Sequence, residues 1–383
     1  MYFPRTLRSE MERLNRPGKV LILYGPRQVG KTTLVRRLLD EAGEPSLYVT
    51  GEDVVVREYL GSRSLVKLRE FVGRNRLLVI DEAQYVPEIG LNLKMLVDSL
   101  PDLRIIATGS SSFALARDTG EPLTGRAYTL RLLPLSQAEI SPYEPAHETR
   151  ARLETRLIHG SYPEVVTTED LGLRERYLLE LVQSYLLKDI LELEGIRYSD
   201  KLLRLLRLLA HQVGAEVSSS ELARSLGMSK NTVDRYLDLL EKVFILHRVT
   251  GFSRNLRKEV TRNPRYYFVD NGIRNALVNN FNPLSLRDDV GALWENYVIL
   301  ERMKRNEALG THVSSHFWRT YDRQEIDLVE ERAGALHGYE IKWNPKKGRR
   351  PGGWTRAYPE AGFTVIHRDN YLDHILPSRC ADR

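Results

Sequence analysis

A single cysteine, Cys380, in 383 residues leaves no internal disulfide and no paired thiolates for a metal. That excludes disulfide redox chemistry. No apolar run approaches the ~20 residues of a membrane span; the most leucine-rich stretch, Leu202 to Leu209, carries Arg204 and Arg207 inside it. The start of the chain has no apolar signal core either, so a cytoplasmic protein with no membrane partner is expected. Core-forming residues are in ordinary supply, 42% hydrophobic against 28% charged, and the length predicts two to three domains. A net charge of +6 leans toward a nucleic-acid partner. It is equally what an arginine-rich, well-solvated surface produces.

What is present is organised around Gly25-Pro26-Arg27-Gln28-Val29-Gly30-Lys31-Thr32, which meets every position of the phosphate-binding pattern G-x-x-x-x-G-K-[ST]. The apolar run Val20 to Tyr24 before it predicts a buried strand, and Thr33 to Leu39 after it has helical spacing. Strand, glycine loop and helix therefore follow in the order a nucleoside triphosphate site needs. The loop from Gly25 to Thr33 would wrap its N–H groups around the β-phosphate. Lys31 would reach the β/γ oxygens, and the Thr32 hydroxyl would join Mg²⁺. An amphipathic helix is expected from Arg5 to Lys19, a strand at Ser46 to Thr50 and a helix at Leu65 to Val72. The strand Leu77 to Glu82 ends in two acids, which delivers Asp81 to the magnesium shell and lets Glu82 polarise the attacking water. The next strand, Leu103 to Ser111, is tipped with hydroxyls, of which Ser110 is assigned to sense the γ-phosphate. Arg126, just before a strand at Tyr128 to Leu132, is placed to stabilise the transferring phosphoryl group in its own subunit or a neighbour's, or is an ordinary surface arginine.

Together, the Gly25 to Thr32 loop, Asp81-Glu82-Ala83-Gln84, Thr108-Gly109-Ser110-Ser111, Gly125-Arg126 and Pro134-Leu135-Ser136 resemble a family of prokaryotic, especially archaeal, AAA-type ATPases with a C-terminal domain of unknown function. The resemblance implies a three-layer α/β core with strand order 5-1-4-3-2 over residues 1–135, then a helical lid over 136–196. Gly160-Ser161-Tyr162-Pro163-Glu164 is similar to the family's Gly-Gly-Phe-Pro turn and Tyr177 to Glu192 to its long helix. It also implies ATP rather than GTP, in keeping with the missing Asn-Lys-x-Asp run of small GTPases, and it allows a homo-oligomer.

Residues 220–237 read as helix, glycine turn at Gly227, helix, with apolar positions at 222, 226, 233 and 237. Ser220 and Ser229 are the expected N-caps. The second helix would turn Lys230, Asn231, Thr232 and Arg235 outward, residue types that meet phosphates and base edges. With a hairpin of Phe244 to Val249 and Tyr266 to Val269, this predicts a winged helix over 197–283 that binds DNA. Winged helices inside ATPases also serve as packing and oligomer modules.

The last stretch, 284–383, predicts a helix at Gly291 to Val298, a strand at His316 to Arg319 and two acidic strands, Glu325 to Val329 and Gly338 to Trp343. Glu340 and Lys342, two apart, share a strand face. This resembles the PD-(D/E)xK restriction-endonuclease-like α/β fold. The resemblance implies Glu295 as the helical acid, Asp327 and Glu340 as strand acids holding a second Mg²⁺ or Mn²⁺, and Lys342 as the catalytic cation. The run Asn344 to Gly353 is too rich in Pro and Gly for the regular helix of that fold, and its basic residues would suit a loop tracking a phosphate backbone. His312 and His316 have no third ligand that would make a zinc site. The alternative to a nuclease is a regulator in which ATP gates DNA or protein binding, with Lys342 pairing an acid as a structural salt bridge.

Overall fold

The computed structural model describes residues 1–110, 123–186, 199–253, 263–345 and 348–377. Ser111, the lid beyond residue 186, Lys346, Lys347 and Cys380 lie outside the described residues. The chain divides into two compact units, residues 2–134 with 242–244, and residues 135–241 with 245–383.

The first unit is built on five parallel strands, β1 (Val20–Tyr24), β2 (Ser46–Thr50), β3 (Leu77–Asp81), β4 (Arg104–Gly109) and β5 (Ala127–Arg131). Their order is β2-β3-β4-β1-β5, the order the family resemblance implied. β1 and β3 are buried at every position, because helices cover both faces of a parallel sheet and leave no solvent side. Those helices are α1 (Arg8–Leu14), α2 (Lys31–Asp40), α3 (Val54–Leu60), α4 (Leu65–Val72) and α5 (Ile89–Ser99). Helix α1 is shorter than its periodicity suggests. Arg5 is drawn out of it: the guanidinium donates to the Val29 carbonyl at 2.7 Å and the Leu133 carbonyl at 2.5 Å. At the other end, Asn15 leaves helical geometry at ψ 78°.

The second unit begins with short helices, α6 (Gln137–Ile140), α7 (Ala146–Ala151), α8 (Leu153–His159), α9 (Pro163–Thr167) and α10 (Leu171–Glu180). Three more follow: α11 (Ser199–His211), α12 (Ser219–Leu226) and α13 (Lys230–Lys242). The turn between α12 and α13 is as expected, with Gly227 left-handed at φ 58°. Ser229 accepts from the Thr232 N–H at 3.1 Å. The other cap is Ser218, not Ser220, since Ser218 accepts from the Glu221 N–H and the helix already runs through 220. Strands β6 (Leu246–Gly251) and β7 (Arg265–Phe268) pair antiparallel, and helix α14 (Asn271–Leu277) follows.

The remaining elements run α15 (Val290–Ala308), β8 (Ser314–Arg319), β9 (Glu325–Arg332), β10 (Ala335–Ile341), α16 (Gly352–Ala357), β11 (Gly362–Ile366) and α17 (Tyr371–Ile375). Of the run expected not to be helical, helix α16 takes in only the last two residues, Gly352 and Gly353; it is six residues long, starts after Pro351 and is anchored by Trp354, which is fully buried. The six strands among the described residues of this unit form one sheet, β11-β10-β9-β8-β6-β7. Because β6 pairs with β8 at Thr250 and Gly251, the sheet runs straight across the boundary expected near residue 284.

Helix α15 is buried on nearly every side, and its polar residues are matched one by one. Asn296 accepts from the Phe268 N–H and donates to the Phe268 carbonyl, at 2.7 and 2.8 Å, so it pairs the free edge of β7. Glu301 accepts from the Gln137 N–H at 2.7 Å, and Arg302 forks onto Glu330 at 2.6 and 2.9 Å. The Gly160-Ser161 turn is fixed by Asp270, which caps α14 through Gly272 at 2.8 Å and takes the Ser161 N–H at 2.7 Å. Any side chain at Gly160 would collide with that carboxylate, which is why the turn needs glycine there.

Beside this turn His159 stacks on Phe281, its ring nitrogens without hydrogen-bond partners among the described residues and Glu175 3.8 Å away. Burial, helped by Arg174, pushes its pKa down to about 4. The depressed value means stability is present above pH ~6.5, where the unfolded imidazole is also neutral, and is lost as pH falls toward 4. His159→Phe is expected to flatten the acid limb by up to about 3 kcal/mol, read from melting curves at pH 7 and 4.5. An unchanged acid limb would place the proton uptake elsewhere.

Candidate functional site

The glycine loop sits at the carboxyl end of β1 and runs into α2, with Lys31 as the first helical residue. Gly25 presses its Cα on the Leu132 carbonyl so closely that no side chain fits, Gln28 is left-handed at φ 57° and Gly30 at φ 94°. These are the conformations that turn successive N–H groups inward. Lys31 is buried and donates to the loop's own carbonyls of Gly25 and Pro26, each at 2.8 Å. An ammonium held inside its loop is poised for phosphate oxygens. Arg27 reaches the Tyr85 hydroxyl at 3.2 Å and Val29 is buried under the Arg5 latch, while Gln28 and Thr33 are exposed.

Asp81, at the tip of β3, is buried and collects three hydroxyls. Thr32 and Tyr48 each donate to Oδ2 at 2.7 Å, and Thr108 donates to Oδ1. Burial first and Asp81 second raise the Tyr48 pKa, so the phenol stays a donor. The Thr32 hydroxyl and the Asp81 carboxylate are hard oxygen donors side by side, which fits Mg²⁺. Glu82 takes a left-handed backbone at φ 49°, ψ 44° and its N–H donates to Thr108 Oγ1 at 3.1 Å. Its carboxylate accepts from the Gln84 side-chain amide, which also donates to Ser110 Oγ at 3.3 Å. Thus Lys31, Thr32, Asp81, Glu82 and Ser110 lie around the carboxyl ends of three adjacent strands. Tyr48 was not singled out from the sequence, and Thr108 and Gln84 entered there only as members of motifs, with no role of their own. The usable signal was a hydroxyl or amide at or near a strand's carboxyl tip.

Arg126 does not belong with them. β5 pairs with β1 so that Ala127 lies opposite Val20, which puts Arg126 at the amino end of the sheet, about 16 Å of strand from the loop at ~3.3 Å per residue. It is ion-paired there to Asp98 at 2.7 Å. A catalytic role within its own subunit is therefore withdrawn.

In the second unit, Glu295 on α15, Asp327 on β9 and Glu340 and Lys342 at the end of β10 do converge. The Lys342 ammonium lies 3.0 Å from Asp327 Oδ2 and 2.9 Å from Glu340 Oε1, and Asp327 also accepts the Ile341 N–H at 2.7 Å. The group includes two residues of β7 that the sequence did not point to. Tyr267 donates to Glu295 Oε1 at 2.7 Å, and buried Arg265 lies 3.7 Å from Glu295 and 3.0 Å from Glu325. Burial, then the neighbouring Asp327, pushes Glu295 up to about 8 and Glu340 up to about 7. Burial opposes the charge on Lys342, yet Asp327 and Glu340 raise its pKa.

The second Mg²⁺ or Mn²⁺ expected on Glu295, Asp327 and Glu340 is not supported. Among the described residues no three acidic, imidazole or thiol groups are arranged to hold an ion. The physical reason is that Lys342 stands between Asp327 and Glu340 while Tyr267 and Arg265 engage Glu295. His316 bonds Thr250 at 3.1 Å and joins no metal group.

Residues 17–141 match an AAA domain, 150–284 a domain of unknown function (DUF8612) and 290–367 another (DUF4143). An uncharacterized protein of Mycobacterium tuberculosis is 30% identical over 346 residues, 88% of this chain and 73% of that protein. The chain belongs to that family. A Haemophilus influenzae protein, also uncharacterized, is 24% identical over 340 residues, 83% of this chain and 80% of its own. Among solved structures, the Walker-type ATPase of Pyrococcus abyssi aligns with a TM-score of 0.48 at 18% identity, covering 72% of this chain and 96% of that one. The replication initiator DnaA bound to AMPPCP and single-stranded DNA aligns with a TM-score of 0.31 at 16% identity, over 62% of this chain and 86% of that one. Residues 17–141, which hold the glycine loop and Asp81, are thus similar to AAA domains by the family match.

Within the DUF8612 match, α13 exposes Lys230, Asn231 and Arg235, but Thr232 spends its hydroxyl on Ser229 at 2.7 Å. The same exposed face carries Asp234 and Asp238, so its two cations are balanced by two acids. No helix among the described residues is long and apolar enough to cross a membrane.

Proposed function

We propose that this AAA-type protein hydrolyses ATP at the β1 and β3 tips and uses the cycle to act on DNA. The observation that carries the hydrolytic part is the Asp81 cluster: the loop threonine and the strand acid are already joined, with Glu82 next in the chain. Lys31 exchanges its two loop carbonyls for phosphate oxygens, Glu82 takes a proton from the attacking water, and Ser110 holds a terminal phosphate oxygen. Mg²⁺, when bound, offsets charge on the β/γ oxygens. Purified protein is expected to turn over ATP in Mg²⁺ and to stop in excess EDTA. Turnover indifferent to EDTA would refute this.

DNA is the proposed target through α13, supported by its exposed Lys230, Asn231 and Arg235 and by the helix-turn-helix-hairpin order. Removing both cations is expected to weaken duplex binding and reduce the log–log salt slope by about 2. Asp234→Asn with Asp238→Asn should tighten binding. Affinities unmoved by either pair would make α13 a packing element.

A second reading is supported by the element order α15-β8-β9-β10-α16-β11, one helix, three antiparallel strands, a helix and a strand parallel to β10. That order resembles the restriction-endonuclease-like core. Glu340 Oε2 is buried without a partner among the described residues. On this reading Asp327 and Glu340 would hold the divalent ion for phosphodiester cleavage once Lys342 swings to the phosphate.

A further inference from the structure

Gln84 lies in the short turn Ala83–Tyr85 that follows β3, and each polar atom of its side chain has a distinct situation. The amide nitrogen donates to Glu82 Oε2 and to Ser110 Oγ, the latter at 3.3 Å. The carbonyl Oε1 is buried and has no partner among the described residues. Buried amide oxygens are rarely left idle, and one that is idle beside a reactive group has an acceptor site on offer. Glu82 is only half-buried and its carboxylate hangs on flexible torsions, so something must orient it; the Thr108 hydroxyl holds only its backbone.

We infer that Gln84 serves ATP hydrolysis in two ways, its amide positioning the Glu82 carboxylate relative to Ser110 and its free carbonyl oxygen receiving the attacking water. This rests on the proposed hydrolytic role of Glu82. With one Glu82 oxygen held by the amide N–H, the other is left to take a proton. The water oxygen bonds to the γ-phosphorus, the bond from that phosphorus to the β,γ-bridging oxygen breaks, and ADP keeps its electron pair. One water proton passes to Glu82 and the second stays on the new phosphate oxygen, pointing at Gln84 Oε1. Because the same amide nitrogen reaches Ser110, a terminal phosphate engaging that hydroxyl and the base that attacks it are held in one register.

The test is Gln84→Met, which keeps the shape and removes both polar ends, with Gln84→Ala as a second variant. Both are expected to lower kcat at least roughly tenfold while the dissociation constant of a fluorescent ATP analogue stays within about twofold of wild type. Combined with Glu82→Gln, each should slow turnover less than it does in the wild-type background, since the carboxylate that the amide orients is gone and only the water contact of the carbonyl oxygen remains. A fully active Gln84→Met beside an inert Glu82→Gln overturns the inference alone. So does a Gln84 loss that multiplies in the Glu82→Gln background, or one that appears as lost nucleotide affinity in both variants. A fully active Glu82→Gln overturns the role of Glu82, and this inference with it.

Discussion

Lys31→Ala is expected to weaken ATP binding about 100-fold or more, and Glu82→Gln to leave binding intact while cutting kcat by roughly 100- to 1,000-fold. The two losses separate because the two side chains meet ATP at different stages. Lys31 now satisfies its ammonium on the Gly25 and Pro26 carbonyls, and phosphate oxygens offer stronger, charge-assisted partners for the same donors. Removing it leaves those partners unmet, and a 100-fold change corresponds to about 2.7 kcal/mol. Glu82 touches neither the loop nor the Asp81 hydroxyl cluster through its carboxylate, so its amide analogue should preserve the site and lose only the proton acceptor. Fluorescent-nucleotide titration and steady-state turnover on the same preparations measure both. A Lys31→Ala protein that binds normally, or a Glu82→Gln protein that hydrolyses normally, would remove the assignment of those residues.

The strand-loop-helix pattern was legible because its chemistry is local: a glycine loop and a lysine must be consecutive to work, so Gly25 to Thr32 announces itself. Asp81 and Glu82 were legible because an apolar run has to end at the sheet's carboxyl edge. What escaped were partners supplied from other strands. Tyr48 reaches Asp81 across β2 and β3, and Arg265 and Tyr267 reach Glu295 from a strand about thirty residues away in sequence. No spacing rule links such residues; only strand order does. The place of Arg126 escaped for the opposite reason, since its neighbours Gly125 and Tyr128 gave a motif but not the end of the sheet that it occupies, which bars the role in its own subunit alone. The family matches change over near 284; what escaped was the pairing of β6 with β8 across that point, because it is set by sheet edges that no composition change marks.

The largest stability effect is expected from Lys342→Met. Asp327 and Glu340 are almost wholly buried, at 2% and 8% exposure, and Lys342 is the cation in direct contact with both. Breaking a buried pair by deleting one partner typically costs about 3–5 kcal/mol, because the other charge stays in a poorly solvating site. In a domain of this size that lowers Tm by roughly 10 °C. If the cluster is a structural ion pair, the loss should be the same with or without divalent ions, and Lys342→Met with Asp327→Asn and Glu340→Gln should recover most of it. The endonuclease-like reading predicts something different: Mn²⁺ takes the vacated place between the two carboxylates and restores the melting temperature of Lys342→Met, but not of the triple variant. It further predicts Mn²⁺- or Mg²⁺-dependent cutting of single-stranded, duplex or branched DNA by the wild type, abolished by Glu340→Ala with ATP turnover intact. Melting curves across a Mn²⁺ titration and that DNA panel decide the matter. No cutting, together with a Lys342→Met defect that Mn²⁺ leaves untouched, assigns the cluster to holding α15, β9 and β10 together.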